Sequence, residues 1–223
     1  MRTALLASAF GLCLASAAPA CDMALLLAVD VSGSVDPDEY RIQIDGLAAA
    51  LRDGSVSEAL VRAEAQVSLV QWTGSTRQDT SIPWRQILTP EDAEALAAEI
   101  EVATRPWRSF STAIGEALDH GLIALLQVPE CKRKVIDVSG DGPSNEGIAP
   151  DVMRADLLRA GITVNALVID TGEEDLTGYF RNNVIVGADA FVVTANGFEE
   201  YPEKIRRKLL REISQKVARA DLP

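Results

Sequence analysis

Two short segments carry side chains able to bind a hard cation. The first is Asp30-Val31-Ser32-Gly33-Ser34, which sets one carboxylate and two hydroxyls at a spacing of two. In an extended turn that spacing points side chains the same way. The second is Ser139-Gly140-Asp141-Gly142, a carboxylate in a glycine-rich stretch. A hydroxyl-rich segment, Ser109-Phe110-Ser111-Thr112, lies between them in the chain. Every atom offered is oxygen, the ligand that hard divalent cations take. Two ordinary carboxylates supply a charge of about −2. A divalent ion between Asp30 and Asp141 would be only just neutralised and would remain a Lewis acid.

Other chemistries fit less well. His120 is the single histidine, and it falls in the middle of an expected helix, away from any strand end, where a base has no nucleophile to reach. It reads as an ordinary helix-surface residue. The phosphate-binding pattern GxxxxGK[ST] is absent. An aspartyl-nucleophile phosphatase resembles DxDx[TV], and Ser32 stands where the second acid belongs. One histidine is too few for an ordinary zinc site. Metal-assisted hydrolysis at Asp30 and Asp141 stays open as an alternative, with no general base evident.

The elements that must position these residues follow from hydrophobic periodicity. Residues 24–29 are an unbroken apolar run, as in a strand buried on both faces. Strands are also expected at 66–72, 81–84, 134–138, 162–169 and 190–193. Helices are expected from Asp36-Pro37-Asp38-Glu39 to about 51, from Thr89-Pro90-Glu91-Asp92 to about 102, and over 112–127, 150–160, 175–183 and 197–219. The first of these, Asp36-Pro37-Asp38-Glu39, carries capping-box chemistry with proline at the first helical position. Strand and helix alternate, which implies an α/β fold: a doubly wound, mostly parallel six-stranded sheet flanked by helices. Ligands of such sheets bind at the carboxyl ends of the strands. Asp30 and Asp141 both follow strands.

These residues resemble a known pattern. Asp30-x-Ser32-x-Ser34 is similar to the DxSxS motif of von Willebrand factor A (VWA) domains, which carries their metal-ion-dependent adhesion site (MIDAS). Thr112, ahead of Ile114-Gly115-Glu116-Ala117-Leu118, matches the family's second-loop threonine. Asp141-Gly142 resembles its third-loop aspartate, although Ser-Gly-Asp-Gly replaces the commoner Thr-Asp-Gly and implies a one-residue displacement. The resemblance implies a site made of Asp30, Ser32, Ser34, Thr112 and Asp141, some of them bound through water. It implies Mg²⁺, or Mn²⁺ or Ca²⁺, with one coordination position left for an acidic side chain of a protein partner. The expected function is a metal-dependent binding module rather than an enzyme. Trp72-Thr73-Gly74-Ser75 and Ile82-Pro83-Trp84-Arg85 also resemble an uncharacterised bacterial family of exported A-type domains.

The first twenty residues are expected to be a secretory signal: Arg2, an apolar run, then Ala18-Pro19-Ala20. Residues 21–223 would form the domain, exported to the periplasm or the medium, with no later segment able to span a bilayer. Cys13 would leave with the signal. Cys21 and Cys131 remain, an even pair in an oxidising compartment, where disulfides form. Cys21 would also be the first mature residue, where bacterial lipoproteins carry a lipid, but the preceding residues lack the usual leucine. The family's sheet order would set the Cys21 and Cys131 strands side by side, within reach of a disulfide. The formal net charge is −12, which disfavours nucleic acid because a polyanion is repelled.

Two further features need an account. The last helix carries Lys204, Arg206, Arg207, Lys208, Arg211, Lys216 and Arg219 in an acidic chain. With Ile205, Leu209, Ile213 and Val217 on one face, it reads as a packed helix with a solvated basic face, or else as a surface for an anionic membrane. Trp72 and Trp107 fall where they could reach the rim of the site, and each is expected to pack in the core or at that rim. The oligomeric state is not encoded in any of these patterns.

Overall fold

The computed structural model describes residues 21–172 and 175–214. The expected signal segment and the last five residues of the expected terminal helix lie outside them. Six strands form one sheet: β1 (Met23–Asp30), β2 (Gln66–Trp72), β3 (Gln78–Gln86), β4 (Arg133–Gly140), β5 (Ile162–Ile169) and β6 (Val192–Ala195), in the order β3-β2-β1-β4-β5-β6. Only the β2–β3 pair is antiparallel. The helices are α1 (Pro37–Arg52), α2 (Gly54–Arg62), α3 (Pro90–Glu101), α4 (Ile114–Leu125), α5 (Arg154–Arg159), α6 (Leu176–Asn183) and α7 (Tyr201–Ser214). The architecture is the doubly wound α/β sheet expected from the alternation.

β1 is the centre of it. All eight of its residues are buried. Met23, Leu25, Leu27 and Val29 enter the core under α1, α2, α3 and α7, while Ala24, Leu26 and Ala28 enter the core under α4, α5 and α6. A strand with period-two side chains needs apolar residues at every position when helices cover both faces. That is why the run is continuous rather than alternating.

The capping chemistry holds. Asp36 accepts from the Asp38 and Glu39 amides, and Glu39 returns a bond to the Asp36 amide. Thr89 and Asp92 do the same for α3. The sequence pattern did not indicate α2. It begins on Gly54, a poor helix former, and is started by Asp53, whose carboxylate accepts from the Ser55 and Val56 amides. β3 runs longer than expected on both sides. Its Pro83 is tolerated because β3 is an edge strand. β6 begins two residues later than expected. The expected helices at 150–160 and 197–219 each open with a 3-10 turn, Pro150–Met153 and Phe198–Glu200.

Cys21 and Cys131 form a disulfide with their Cα atoms 4.5 Å apart. The reason lies in the register: Met23 pairs with Arg133 in parallel strands, so each cysteine stands two residues before a paired position. The bond ties β1 to β4 at the end opposite Asp30.

The basic face of the last helix needs correcting. Lys208 is fully buried, 2.5 Å from Asp137 of β4 and 2.7 Å from Glu212. Arg206 and Arg207 pair with Glu203, and Lys204 with Glu200. Spacing along a helix shows which residues share a face, but not what faces them from a neighbouring strand. No helix among the described residues is long and apolar enough to cross a membrane.

Candidate metal centre

The carboxyl ends of β1 and β4 bring the first and third motifs together. Asp30 ends β1 and is completely buried. Its Oδ1 accepts from the Ser32 amide at 2.7 Å. Ser32 Oγ lies 3.2 Å from Ser34 Oγ, and Ser34 Oγ donates to Asp141 Oδ1 at 2.7 Å. One chain of hydrogen bonds thus runs from a buried floor, Asp30 and Ser32, to an exposed mouth, Ser34 beside the half-buried Asp141.

The strand pairing fixes the relative height of the two carboxylates. Val29 pairs with Ser139, so Gly140 comes level with Asp30 and Asp141 stands one position beyond. Gly140 leaves room for this closeness. A Cβ built on it would lie 3.2 Å from Asp30 Oδ2. That oxygen is buried and has no hydrogen-bond partner, an arrangement that costs free energy unless something compensates it.

Electrostatics point the same way. Burial, and then the nearby Asp141, push the Asp30 carboxyl up to about 8, against the hydrogen bonds from Ser32 and the charge of Arg105. Asp141 is also raised, chiefly by burial, with the Ser34 bond opposing. Two carboxyls crowded in a poorly solvated place resist joint ionisation. A divalent cation would relieve both the crowding and the orphaned oxygen. The donor set fits such an ion: two carboxylates and hydroxyls, all oxygen. Among the described residues no three of His, Cys, Asp and Glu cluster to hold a metal. Any cation here would rely on hydroxyls for its remaining protein ligands.

Thr112 is held differently. It stands just before α4, 5% exposed. Its amide donates to Asn145 Oδ1 at 2.9 Å, and its carbonyl accepts from the Asn145 and Glu146 amides. Ser144 Oγ reaches the same carbonyl. Thr112 is therefore fastened to the loop that follows Asp141, although it takes no part in the hydrogen-bond chain of the other four. Ser144 also accepts from the Ile114 amide, which explains why α4 starts at Ile114 rather than at Thr112.

Several residues of the site region were not anticipated. Arg105 Nη2 donates to the Val31 and Ser32 carbonyls at 2.9 and 2.8 Å. The Gly33 amide donates to the Phe110 carbonyl at 2.7 Å, and a Cβ on Gly33 would meet that carbonyl and Ser109 Cα at 3.2 Å. The loop of residues 103–113 is thus clamped onto the Asp30–Ser34 turn. Pro143-Ser144-Asn145 carried the one readable signal, turn formers directly after Asp-Gly. Of the tryptophans, Trp72 is in the core, completely buried. Its carbonyl accepts from the Val31 amide. Trp107 is half-buried against the core. His120 is half-buried on α4, with Nε2 2.9 Å from Thr80 Oγ1 on the edge strand.

The sheet order and the two-faced core give this chain a von Willebrand factor A-type fold. The chain belongs to the family described as "Protein of unknown function (DUF1194)", whose profile matches residues 20–217. No curated protein matches it. Solved structures share the fold at low identity. Proximal thread matrix protein 1 from the mussel byssus is 20% identical with a TM-score of 0.65, over 86% of this chain and 47% of that one. A second structure of the same protein, with a zinc-occupied MIDAS motif, is 21% identical with a TM-score of 0.59, over 88% of this chain and 48% of that one. A von Willebrand factor type A protein from Catenulispora acidiphila is 15% identical with a TM-score of 0.61, over 88% and 44%. The pilus adhesin SpaC from Lactobacillus rhamnosus GG is 12% identical with a TM-score of 0.61, over 86% and 30%. The chain spans less than half the length of each.

Proposed function

We propose that this protein is an exported, metal-dependent protein-binding module. The observation that carries the reading is the Asp30–Ser32–Ser34–Asp141 hydrogen-bond chain, with a buried, partnerless Asp30 oxygen at its floor. Asp30, Ser32, Ser34, Thr112 and Asp141 would hold a divalent cation, Mg²⁺ in preference to Mn²⁺ or Ca²⁺. The bound ion would supply a Lewis-acidic position for a carboxylate from outside. Asp30 would be the buried anionic anchor. Asp141 and Ser34, at the mouth, would stand beside the incoming group. Arg105 and Phe110 would hold the turn in shape through its backbone.

The adhesin and matrix proteins that share the fold support a role in protein interaction, and the zinc-occupied MIDAS motif of one of them supports a divalent cation. A signal at residues 1–20 and a single domain over 21–223 complete the reading. The Cys21–Cys131 disulfide supports an oxidising compartment, periplasmic or extracellular. It also occupies the sulfur that a lipid anchor would need. A hydrolase at the same site would need a base, and the single histidine is engaged with Thr80 instead.

Calorimetric titration of the 21–223 protein with Mg²⁺, Mn²⁺ and Ca²⁺, beside Asp30→Ala, is the test. The parent is expected to bind at one site and the variant not to bind. A parent that binds none of the three ions would remove the reading.

A further inference from the structure

The loop after β4 joins two parts of the candidate centre that the hydrogen-bond chain leaves apart. Asp141 stands at its start and accepts from Ser34. Three residues further on, Ser144-Asn145-Glu146 each turn to a different neighbour. Ser144 Oγ accepts from the Ile114 amide at the head of α4, and the Ser144 amide donates to the Tyr179 hydroxyl of α6. Glu146 Oε1 accepts from Ser75 Oγ in the β2–β3 turn at 2.7 Å. Asn145, between them, goes to Thr112. Its Oδ1 accepts from the Thr112 amide at 2.9 Å, and its own amide donates to the Thr112 carbonyl at 2.9 Å. Both backbone polar groups of Thr112 are thus closed on one residue, and the Thr112 hydroxyl takes no part in the clamp.

The tethers of this loop are not equivalent. Its course along α4 is fixed by other contacts. Glu116 Oε1 accepts from the Ile148 amide at 2.8 Å, and a Cβ on Gly115 would run into the Ile148 carbonyl. Gly147 lies against the same Glu116 with a φ of 75°, which glycine adopts without strain. The Asn145 carboxamide does something else: it bonds the amide of Thr112 itself. Removing it would leave the loop seated on α4 and loosen the one residue of the α4 side that offers a hydroxyl to the centre.

We infer, resting on the metal-dependent reading above, that Asn145 is a positioning residue of the centre, holding Thr112 so that its hydroxyl joins the oxygen donors of Asp30, Ser32, Ser34 and Asp141. Asn145 and Asp141 share one loop. The donor from the α4 side is therefore hung on the same piece of backbone as the donor from β4, and the two keep one spacing. A neutral hydroxyl contributes to a cation site only when it is held in place before the ion arrives. Hydrogen bonds that orient metal ligands are worth about 10–100-fold in metal affinity.

The experiment uses the disulfide-intact 21–223 protein with Mg²⁺ alone as the probe. Affinity is read by calorimetry for the parent, Asn145→Ala, Thr112→Val and the double variant. Each single change is expected to weaken Mg²⁺ binding by about tenfold. The double variant should fall by no more than about threefold further, because both changes disable one hydroxyl, whereas independent effects would multiply to about a hundredfold. Asn145→Asp keeps the accepting oxygen and should bind Mg²⁺ at least as tightly as the parent at high salt, where its added charge is screened. Asn145 is exposed, so its variants are expected to fold as the parent does, which circular dichroism and the metal-free urea midpoint check. The parent gives an independent reading: the nitrogen-15 resonances of the Thr112 amide and the Asn145 carboxamide should both shift with the calorimetric Mg²⁺ midpoint. A single variant that binds Mg²⁺ like the parent, losses that multiply in the double variant, failure of Asn145→Asp to restore binding, or parent resonances that Mg²⁺ leaves unmoved would each overturn the positioning role and leave the metal site standing. A parent that binds no Mg²⁺ would overturn both.

Discussion

Replacing Lys208 with methionine removes the cation from a buried ionic triad and keeps most of its apolar stem. Lys208 and Glu212 of α7 are 0% exposed, and Asp137 of β4 is 2% exposed, with the ammonium within 2.7 Å of both carboxyls. Lys208 meets Asp137 Oδ1 and Glu212 Oε1, and the second oxygens, Asp137 Oδ2 and Glu212 Oε2, have no hydrogen-bond partner. The loss therefore strands carboxyls in a poorly solvated place. Removing one member of a buried pair costs about 3–5 kcal/mol. With a urea m-value of about 2 kcal/mol/M, the unfolding midpoint should fall by roughly 1.5–2.5 M. Equilibrium urea unfolding with the disulfide intact reads this, using the fluorescence of the buried Trp72 and far-ultraviolet circular dichroism. The triple variant Lys208→Met, Asp137→Leu, Glu212→Leu should recover to within about 1 kcal/mol of the parent, because an apolar replacement of a whole buried ionic group is often neutral. A single variant that loses less than about 1 kcal/mol would refute the reasoning. So would a triple variant no better than the single one, since the loss would then come from packing and not from stranded charge.

Reducing the Cys21–Cys131 bond, or changing both cysteines to alanine, releases a loop with a sequence separation of 110. In the chain-entropy model this destabilises by about 4–5 kcal/mol. Urea midpoints with and without reductant check it, and a change below about 1 kcal/mol would contradict it. A pH effect follows from Glu212, whose carboxyl is raised from 4.5 to about 8 by burial and then by Asp137, with Lys208 opposing. A proton bound more tightly in the folded chain stabilises it fully below the unfolded value, and the gain is lost as pH rises through the folded one. The metal-free domain should therefore lose stability between about pH 4.5 and 8. Asp30, also raised to about 8, acts in the same direction. His120, depressed by burial, acts in the opposite direction. Comparing pH 5 with pH 8 in the parent and in Glu212→Gln cancels both. The fall should be smaller in the variant by at least about 1.4 kcal/mol, the equivalent of one pKa unit. Equal falls would contradict it.

Much of this protein was legible locally. The apolar run of β1, the capping box at Asp36, the helix start at Thr89, and the alternation of strand and helix each depend on residues within a turn or two of one another. Local rules were enough to place Asp30 and Asp141 after strands, while the neighbouring of the Cys21 and Cys131 strands came from the family resemblance. α2 escaped because Gly54 and two serines hide a short buried face. Its start depends on the Asp53 cap more than on periodicity.

What only the tertiary structure decided depends on which strand lies beside which helix. Lys208 and Glu212 sit at the spacing of an ordinary surface pair, and they are buried because Asp137 faces them from β4. A side chain at Gly140 would crowd Asp30, which lies level with it across the sheet. Arg105 carries no signal in the sequence, and its role comes from the Asp30–Ser34 turn lying within its reach. Thr112 shares the loop cluster but is bonded to Ser144 and Asn145 rather than to its expected companions. The sequence settled which residue types could hold a cation. The packing of β1 against β4, with the 103–113 loop laid across their ends, settled how near those residues come to each other and which of their oxygens are left without a partner.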